Sequence, residues 1–151
     1  MKPTIVLGSD HAGFNLKEAV KSHLEGKGLR VKDMGAHSFN EQDDYPDFII
    51  PAAKEVAKYP KSKGIIFGGS GQGEAIAANR IKGIRAALYT GHNLDIVKLS
   101  RTHNDSNILS LGARLVSEKE ALNAIMLWLS TPFSREERHV RRIKKLDSLS
   151  R

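Results

Sequence analysis

The sequence predicts an α/β fold, in which a five-stranded, mostly parallel sheet is covered by helices on both faces. Five short apolar runs of strand length alternate with helix-length segments along the 151 residues. The runs are continuously apolar rather than alternating, which is typical of strands buried on both sides. The chain shows no internal repeat and no linker. We therefore expect one domain that spans residues 1–151.

The apolar runs give the expected strands, which are 4–9, 29–35, 64–69, 84–90 and 107–112. Helices are expected between and after these strands, at about 14–26, 46–58, 73–81, 92–102 and 117–130. In the first helix, Leu16, Val20 and Leu24 recur every four residues and indicate its buried face. The turn-rich interval 38–48 is expected to contain a loop.

The chain ends in a basic segment for which we expect a helix from about residue 134 to residue 149. Ser134 and Glu137 form a Ser-x-x-Glu pattern that is typical of a helix start. Of the net charge of +7, residues 135–151 contribute +4. Arg138, Arg142 and Lys145 would share one face of this helix. Arginine favours bidentate phosphate binding, whereas a solvated face is the ordinary interpretation of such a charge run.

The composition limits the class of protein. Without cysteine, the chain has no disulfide, no thiolate metal site and no thiol nucleophile. No apolar run approaches the length of about 18 residues that a membrane span needs. The start, "MKPTIVLGSDHAG", fits a buried strand better than a signal peptide. We therefore predict a cytoplasmic protein without a membrane partner.

Polar residues follow four of the expected strands. These segments are "SDH" (9–11), "GGSGQGE" (68–74), "TGHN" (90–93) and "GAR" (112–114). Parallel strands end at one edge of their sheet, and ligands bind in open α/β sheets at that carboxyl edge. The four segments are therefore expected to converge on one site.

The glycine-rich stretch "GGSGQGEAIAANR" (68–80) lacks the Gly-Lys-Ser/Thr of a nucleotide-binding phosphate loop. Its GxGxG spacing is also a poor dinucleotide pattern. Glycines at a helix start let backbone N–H groups approach a phosphate or a developing oxyanion. Glu74, in the first turn, has two interpretations: an acid that the helix dipole stabilises, or a base.

Two further pairs of neighbouring residues are candidates for the site, and each contains a histidine. Asp10 and His11 could move protons or bind a phosphate, although a helix cap and a packed ring explain them as well. His103 stands beside Asn104, between a helix and a strand. The histidines have no metal-ligand spacing, so we predict no metal site.

Five motifs, in order along nearly the whole chain, are similar to the ribose-5-phosphate isomerase B family, which also includes galactose-6-phosphate isomerase subunits. They are "GSDHAGFNLK" (8–17), "DYPDF" (44–48), "GGSGQGEAIAANRIKGIRAAL" (68–88), "SRTHNDSNILSLGAR" (100–114) and "RHVRRI" (138–143). The resemblance implies a Rossmann-like, three-layer α/β/α domain without cofactor or metal. It also implies a homodimer, with a tetramer as the alternative, whose active sites lie at the subunit interface.

The implied activity is the interconversion of ribose 5-phosphate and ribulose 5-phosphate in the pentose phosphate pathway of carbohydrate metabolism. Many family members carry a cysteine base at the end of the third strand, where this chain has Gly68. Another branch has glycine there and a glutamate after the loop, which this chain matches at Glu74. The resemblance therefore makes Glu74 the expected base of a cis-enediolate mechanism.

The resemblance also assigns the remaining site residues. Asp10 and His103 match the residues that open the sugar ring, and Ser70, with the backbone from Gly71 to Gly73, is expected to stabilise the enediolate. Residues expected to bind the phosphate or the sugar are His11, Tyr45, Gly71, Gly73, Asn104, Arg114, Arg138 and Arg142.

Two alternatives stay open at this point. A related isomerase could act on a six-carbon sugar phosphate, such as allose or galactose 6-phosphate. The basic helix could instead serve a non-catalytic nucleic-acid-binding module, although it lacks interleaved aromatic residues and no nucleic-acid-binding fold accompanies it. We therefore predict a small sugar phosphate, and no nucleic acid, as the binding partner.

Overall fold

A computed structural model describes residues 4–149 and shows, in that range, five strands and six α-helices. The strands are β1 (Thr4–Ser9), β2 (Arg30–Asp33), β3 (Lys63–Gly68), β4 (Ala86–Tyr89) and β5 (Ile108–Gly112). The helices are α1 (Phe14–Gly26), α2 (Pro46–Lys58), α3 (Gln72–Asn79), α4 (Leu94–Thr102), α5 (Glu118–Ser130) and α6 (Glu137–Asp147). A short 3-10 turn, His11–Gly13, joins β1 to α1.

The strands form one sheet in the order β2-β1-β3-β5-β4, and each neighbouring pair is parallel. The strand order reverses between β1 and β3, because the chain moves outward from β1 to β2 and then crosses to the other side. A reversal of this kind leaves a crevice at the carboxyl ends of the two strands. The fold thus places its natural binding crevice after Ser9 and Gly68.

Two apolar clusters fill the space between the sheet and its helices. On one face, α1, α4 and α5 contribute residues such as Val20, Val97 and Trp128. On the other face, α2 and α3 contribute residues such as Ile49 and Ala78. The predicted α/β fold with helices on both faces is therefore confirmed.

Within the first helix, the predicted buried face is also confirmed. Val20 and Leu24 are completely buried, and Leu16 packs partly buried against the same cluster. Their four-residue spacing therefore marks the side of α1 that meets the sheet.

The predicted start of the last helix is wrong. Helix α6 begins at Glu137, and Ser134 accepts a hydrogen bond from the Glu136 N–H (3.4 Å) instead of capping at Glu137. The segment before the helix is held extended, because the Ser134 N–H donates to the Thr102 carbonyl (3.2 Å). Arg135 then has a positive φ of 61°, which is incompatible with a right-handed helix.

The expected starts of α4 and α5 are also two residues and one residue too early, whereas their expected ends agree with the structure. Asn93 and Ser117 are the residues before these helices, and their side chains accept hydrogen bonds from Asp95 N–H (3.0 Å) and Glu120 N–H (3.1 Å). Each is therefore a cap rather than a helical residue.

Candidate active site

The crevice between β1 and β3 collects the first group of predicted site residues. Asp10 follows β1 directly, is nearly buried, and accepts a hydrogen bond from the Gly13 N–H (3.2 Å), so that it caps the 3-10 turn. The glycine-rich loop follows β3, and Gly71, with φ of 80°, is the residue before α3. Glycine adopts this left-handed conformation readily. The first backbone N–H groups of α3 have no partner within the helix, and they lie at its N-terminal end, next to the loop.

Glu74 lies in the first turn of α3, beside the carboxyl end of β3. Its side chain is buried, and its carboxylate rests against Gly68 so closely that any Cβ at position 68 would overlap it. Burial raises the pKa of the Glu74 carboxyl, and the nearby negative charge of Asp10 raises it further. The backbone N–H of Glu74 acts in the opposite direction. The carboxylate therefore occupies the space that a side chain at position 68 would fill.

Hydrogen bonds and a contact with Tyr45 hold the rest of the glycine loop. Ser70 Oγ accepts a hydrogen bond from the Gln72 N–H (3.3 Å), which leaves the hydroxyl proton of Ser70 for another acceptor. The carbonyl of Gly71 accepts from the buried Ser110 hydroxyl of β5 (2.7 Å). A side chain at Gly73 would meet the ring of Tyr45, so that Tyr45 stands directly over the loop.

His11 and Arg114 form the cationic side of the crevice. The His11 ring contacts Asp43, with 2.6 Å between Nδ1 and Oδ1, and this hydrogen bond raises the pKa of His11. The positive charge of Arg114 acts on the pKa of His11 in the opposite direction. Arg114 also lies against Gly69, to whose carbonyl its backbone N–H donates (3.0 Å).

We call this first group the carboxyl-edge cluster. It consists of Asp10, His11, Tyr45, Ser70, Gly71, Gly73, Glu74 and Arg114. The expectation that the segments 9–11, 68–74, 90–93 and 112–114 reach one edge of the sheet is confirmed, since they follow the parallel strands β1, β3, β4 and β5. Tyr45, which precedes α2, joins them through its contact with the glycine loop.

The other four predicted site residues lie elsewhere. His103 and Asn104 follow α4 and precede β5, so they sit at the amino edge of the parallel sheet. Arg138 and Arg142 lie on α6, whose His139 stacks on His103 with 4.3 Å between ring centroids. We call His103, Asn104, Arg138 and Arg142 the amino-edge cluster. The length of β5 separates it from the carboxyl edge by roughly 15 Å, at about 3.3 Å per residue.

A buried polar network fixes the amino-edge cluster. The buried Arg101 guanidinium donates to the Asp105 carboxylate (2.8 Å) and to the Thr131 carbonyl (3.0 Å). Trp128 Nε1 donates to the Ser106 hydroxyl (2.8 Å). Together these bonds tie the loop that carries His103 to the segment that leads into α6, which orients the two parts of the cluster together.

Arg138 and Arg142, the two arginines of the amino-edge cluster, are exposed. Arg138 pairs with Glu136 (3.0 Å) on the surface, where such a pair contributes little to stability. His139, between them, is buried, and burial together with the positive charges of His103, Arg138 and Arg142 lowers its pKa. The cluster thus presents two permanent cations on one helix face.

Asp43 is a site residue that the sequence did not single out. It stands one residue before the "DYPDF" motif, in an interval expected to be only a turn-rich loop. The segment "EQDDYPD" (41–47) contains four acidic residues, and nothing in it distinguishes Asp43 from the others. The partner that does distinguish it, His11, is 32 residues away in the chain.

Among residues 4–149, one group of side chains has the proximity of metal ligands. Ligand atoms of Asp10, His11 and Asp43 all lie within 4.8 Å of one another. The hydrogen bond between His11 and Asp43 brings two of the three together, and Asp10 directly precedes His11 in the chain. In the same range, no helix is long and apolar enough to cross a membrane.

The fold and the carboxyl-edge cluster define a class of protein: an α/β protein in which a buried carboxylate with a raised pKa lies at the carboxyl edge of a parallel sheet, an arrangement typical of enzymes. Comparison with known proteins gives the family. Residues 5–146 match the ribose/galactose isomerase family model. The chain belongs to this family.

Similar proteins span nearly the same length. Ribose-5-phosphate isomerase B of Mycolicibacterium paratuberculosis is 43% identical over 147 residues, which cover 97% of this chain and 91% of the relative. A protein described as a putative sugar phosphate isomerase of Bacillus subtilis is 35% identical over 142 residues, covering 94% of this chain and 93% of the relative.

Solved structures that resemble this chain are also of ribose-5-phosphate isomerases B. Ribose-5-phosphate isomerase B of Mycoplasma genitalium, with bound ribulose 5-phosphate, has a TM-score of 0.92 at 37% identity and covers 97% of this chain and 95% of its own. The Clostridium thermocellum ribose-5-phosphate isomerase B has a TM-score of 0.89 at 42% identity, with 95% of each chain covered.

Proposed function

We propose that the chain interconverts ribose 5-phosphate and ribulose 5-phosphate through a cis-enediolate, as a cytoplasmic homodimeric enzyme of the pentose phosphate pathway. The observation that carries the proposal is the buried Glu74 carboxylate, which lies against Gly68 in the crevice beside Asp10. The names of the relatives, and the ribulose 5-phosphate bound in one of their structures, support the substrate.

The reaction first requires an open sugar chain. Asp10 accepts the proton of the anomeric hydroxyl, and His103 donates a proton to the ring oxygen. Because these residues lie at opposite edges of the sheet within one chain, His103 of the partner subunit would complete the site.

Glu74 then removes the proton from C2 of the open aldose, which leaves an enediolate across C1 and C2. A proton passes from the C2 hydroxyl to the C1 oxygen, and Glu74 returns its proton to C1 to give the ketose. A raised pKa brings the carboxyl closer to the pH at which the enzyme works, and so makes it a stronger base than an exposed glutamate.

The glycine loop and the cationic side chains have separate tasks. The hydroxyl of Ser70 and the first amides of α3 would stabilise the enediolate oxygen, where one such donor is worth about 3 kcal/mol. His11 and Arg114 would bind the phosphate from one subunit, and Arg138 and Arg142 of the partner subunit would close over it.

A two-fold dimer satisfies this arrangement. In an isologous dimer, each carboxyl-edge cluster can meet the amino-edge cluster of the other subunit, which gives two identical sites. Exposed apolar side chains on α3 and α4 support an interface there: Ile76 is 59% exposed, Ile96 50% and Leu99 46%.

The test is an assay of the purified protein on ribose 5-phosphate without added metal, with allose 6-phosphate and galactose 6-phosphate in parallel. We expect conversion of ribose 5-phosphate at the highest kcat/KM of the three. Conversion of a six-carbon sugar phosphate alone would replace the proposed substrate. No conversion of any of them would contradict the isomerase assignment.

A further inference from the structure

Asp43 makes two contacts with His11 through a single oxygen. Its Oδ1 lies 2.6 Å from the ring Nδ1 of His11 and accepts a second hydrogen bond from the His11 backbone N–H (3.1 Å). These contacts fix both the backbone and the ring of a residue in the crevice. They span 32 positions of sequence, so they form only when the loop before α2 is folded against the β1 turn.

The burial of Asp43 favours a positively charged partner. Its side chain is only 8% exposed, and Oδ2 is buried without a hydrogen-bond partner. A carboxylate in this position is costly unless a neighbouring positive charge compensates it. The ring of His11 is in direct contact with this carboxylate and, with protons on both nitrogens, would supply that charge.

The other charged groups around His11 oppose one another. Asp10, on the adjoining turn, favours the protonated ring, and Arg114, from the segment after β5, disfavours it. Partial burial also disfavours the charge, and Phe39 packs its ring edge-on against His11 at 6.1 Å. The Asp43 hydrogen bond is the largest of these influences, and it raises the pKa of His11.

We propose that Asp43 is a positioning residue that holds His11 doubly protonated, with Nδ1 occupied, so that the Nε2–H remains for the phosphate group of the substrate. The loop of residues 37–45, which Asp43 joins to the β1 turn, also places Tyr45 over Gly73. The inference rests on the proposed function in that the phosphate belongs to a sugar phosphate.

The main variant is Asp43→Asn, which keeps an oxygen acceptor but removes the charge. Asp44→Asn is the matched control, since it makes the same change at the next, exposed residue. We expect KM for ribose 5-phosphate to rise about tenfold at neutral pH in Asp43→Asn, with kcat changed less than about twofold. At a pH low enough to protonate His11 in both proteins, the two KM values should converge, whereas a purely structural role would raise KM at every pH.

A second measurement does not depend on activity. The ¹⁵N signals of the His11 ring, followed against pH, should show a lower titration midpoint in Asp43→Asn than in the wild type and in Asp44→Asn. Inorganic phosphate should perturb the His11 signals at lower concentration in the wild type than in Asp43→Asn. Should the variant not fold, the wild type alone decides, because both ring nitrogens of His11 should still carry protons above the ordinary midpoint of 6.5.

An unchanged His11 midpoint in a folded Asp43→Asn, or a wild-type His11 that is already neutral at pH 6.5, would overturn the proposal. A wild-type protein without isomerase activity would instead contradict the proposed function. In that case, the ¹⁵N titration of the His11 ring and the binding of inorganic phosphate would still test the link between Asp43 and His11.

Discussion

The two clusters of predicted site residues differ in how the fold holds them. At the carboxyl edge, Asp10 and Glu74 are buried, and turns after β1 and β3 set their positions. At the amino edge, Arg138 and Arg142 are exposed on a helix surface, and a buried network around Arg101 orients the segments beneath them. Under the proposed function, this difference would separate two tasks: the group that transfers the proton is desolvated, while the charges that bind the phosphate stay in water.

Ion pairs with a buried basic partner lie beneath both regions. At the carboxyl edge, the completely buried Lys17 of α1 pairs with Asp33 at the end of β2 (2.7 Å). Asp33 accepts a hydrogen bond from the Gly35 N–H (2.9 Å), and Gly35 accepts one from Ser9 (2.7 Å), next to Asp10. Arg101 has the corresponding place at the amino edge. Each cluster is therefore linked through hydrogen bonds to a buried basic side chain.

The largest expected effect is on the proton transfer itself. Glu74→Gln should lower kcat by about a thousandfold and leave substrate binding nearly unchanged, because it removes the base and keeps its shape. Glu118→Gln is the control, as it makes the same change in the first turn of α5, at an exposed position. A Glu74→Gln protein with nearly normal turnover would exclude Glu74 as the base.

The same variant tests whether the clusters meet across a dimer. Co-expression of Glu74→Gln with His103→Ala gives mixed dimers in which one site has both defects and the other has none. With random pairing, about a quarter of wild-type activity should return, as expected for a two-fold dimer. No recovery from confirmed mixed dimers would place both clusters in one site of one chain, against the proposal.

A smaller loss is expected from Gly68→Ala. The added methyl group would meet the Glu74 carboxylate and displace it, which should lower kcat by tenfold to about a hundredfold. Gly26→Ala, at the end of α1, where a Cβ meets nothing within 4 Å, is the control. Unchanged turnover in Gly68→Ala would show that the contact between residues 68 and 74 does not matter for catalysis.

For phosphate capture, Arg142→Ala should raise KM about tenfold with little change in kcat, because it removes one charge that binds substrate and transition state alike. Arg141→Ala removes the same charge from the next position of α6 and should leave KM within about twofold of the wild type. Equal effects of the two variants would indicate general attraction of the anion rather than a specific contact.

The smallest expected effect is on stability. A carboxyl whose pKa is raised by folding contributes stability below its unfolded pKa and loses that contribution as pH rises through the folded pKa. Glu74→Gln should therefore melt at a higher temperature than the wild type at neutral pH, with the difference shrinking in acid. Thermal melts from pH 4 to pH 8, with Glu118→Gln alongside, would check this. A lower Tm of Glu74→Gln at neutral pH would contradict it.

Local pattern was sufficient for much of the fold. The apolar runs and helical periodicity located the elements, and Leu16, Val20 and Leu24 mark the buried face of α1 because neighbouring turns impose that spacing. The start of α6 was missed because contacts with Thr102 and the positive φ of Arg135, rather than Ser134, decide it. Ser134 and Glu137 satisfy the local pattern, but tertiary hydrogen bonds override it.

The sequence by itself determined the strand–helix order, the glycine loop with its acid and the absence of a cysteine base, since each is a property of neighbouring residues. Only the tertiary structure decided that Glu74 fills the space at Gly68, that Asp43 holds His11, and that the two clusters lie at opposite edges of the sheet. These three features depend on contacts between residues that are distant in the chain. The order of the parallel strands and the burial of charged side chains set the geometry of those contacts.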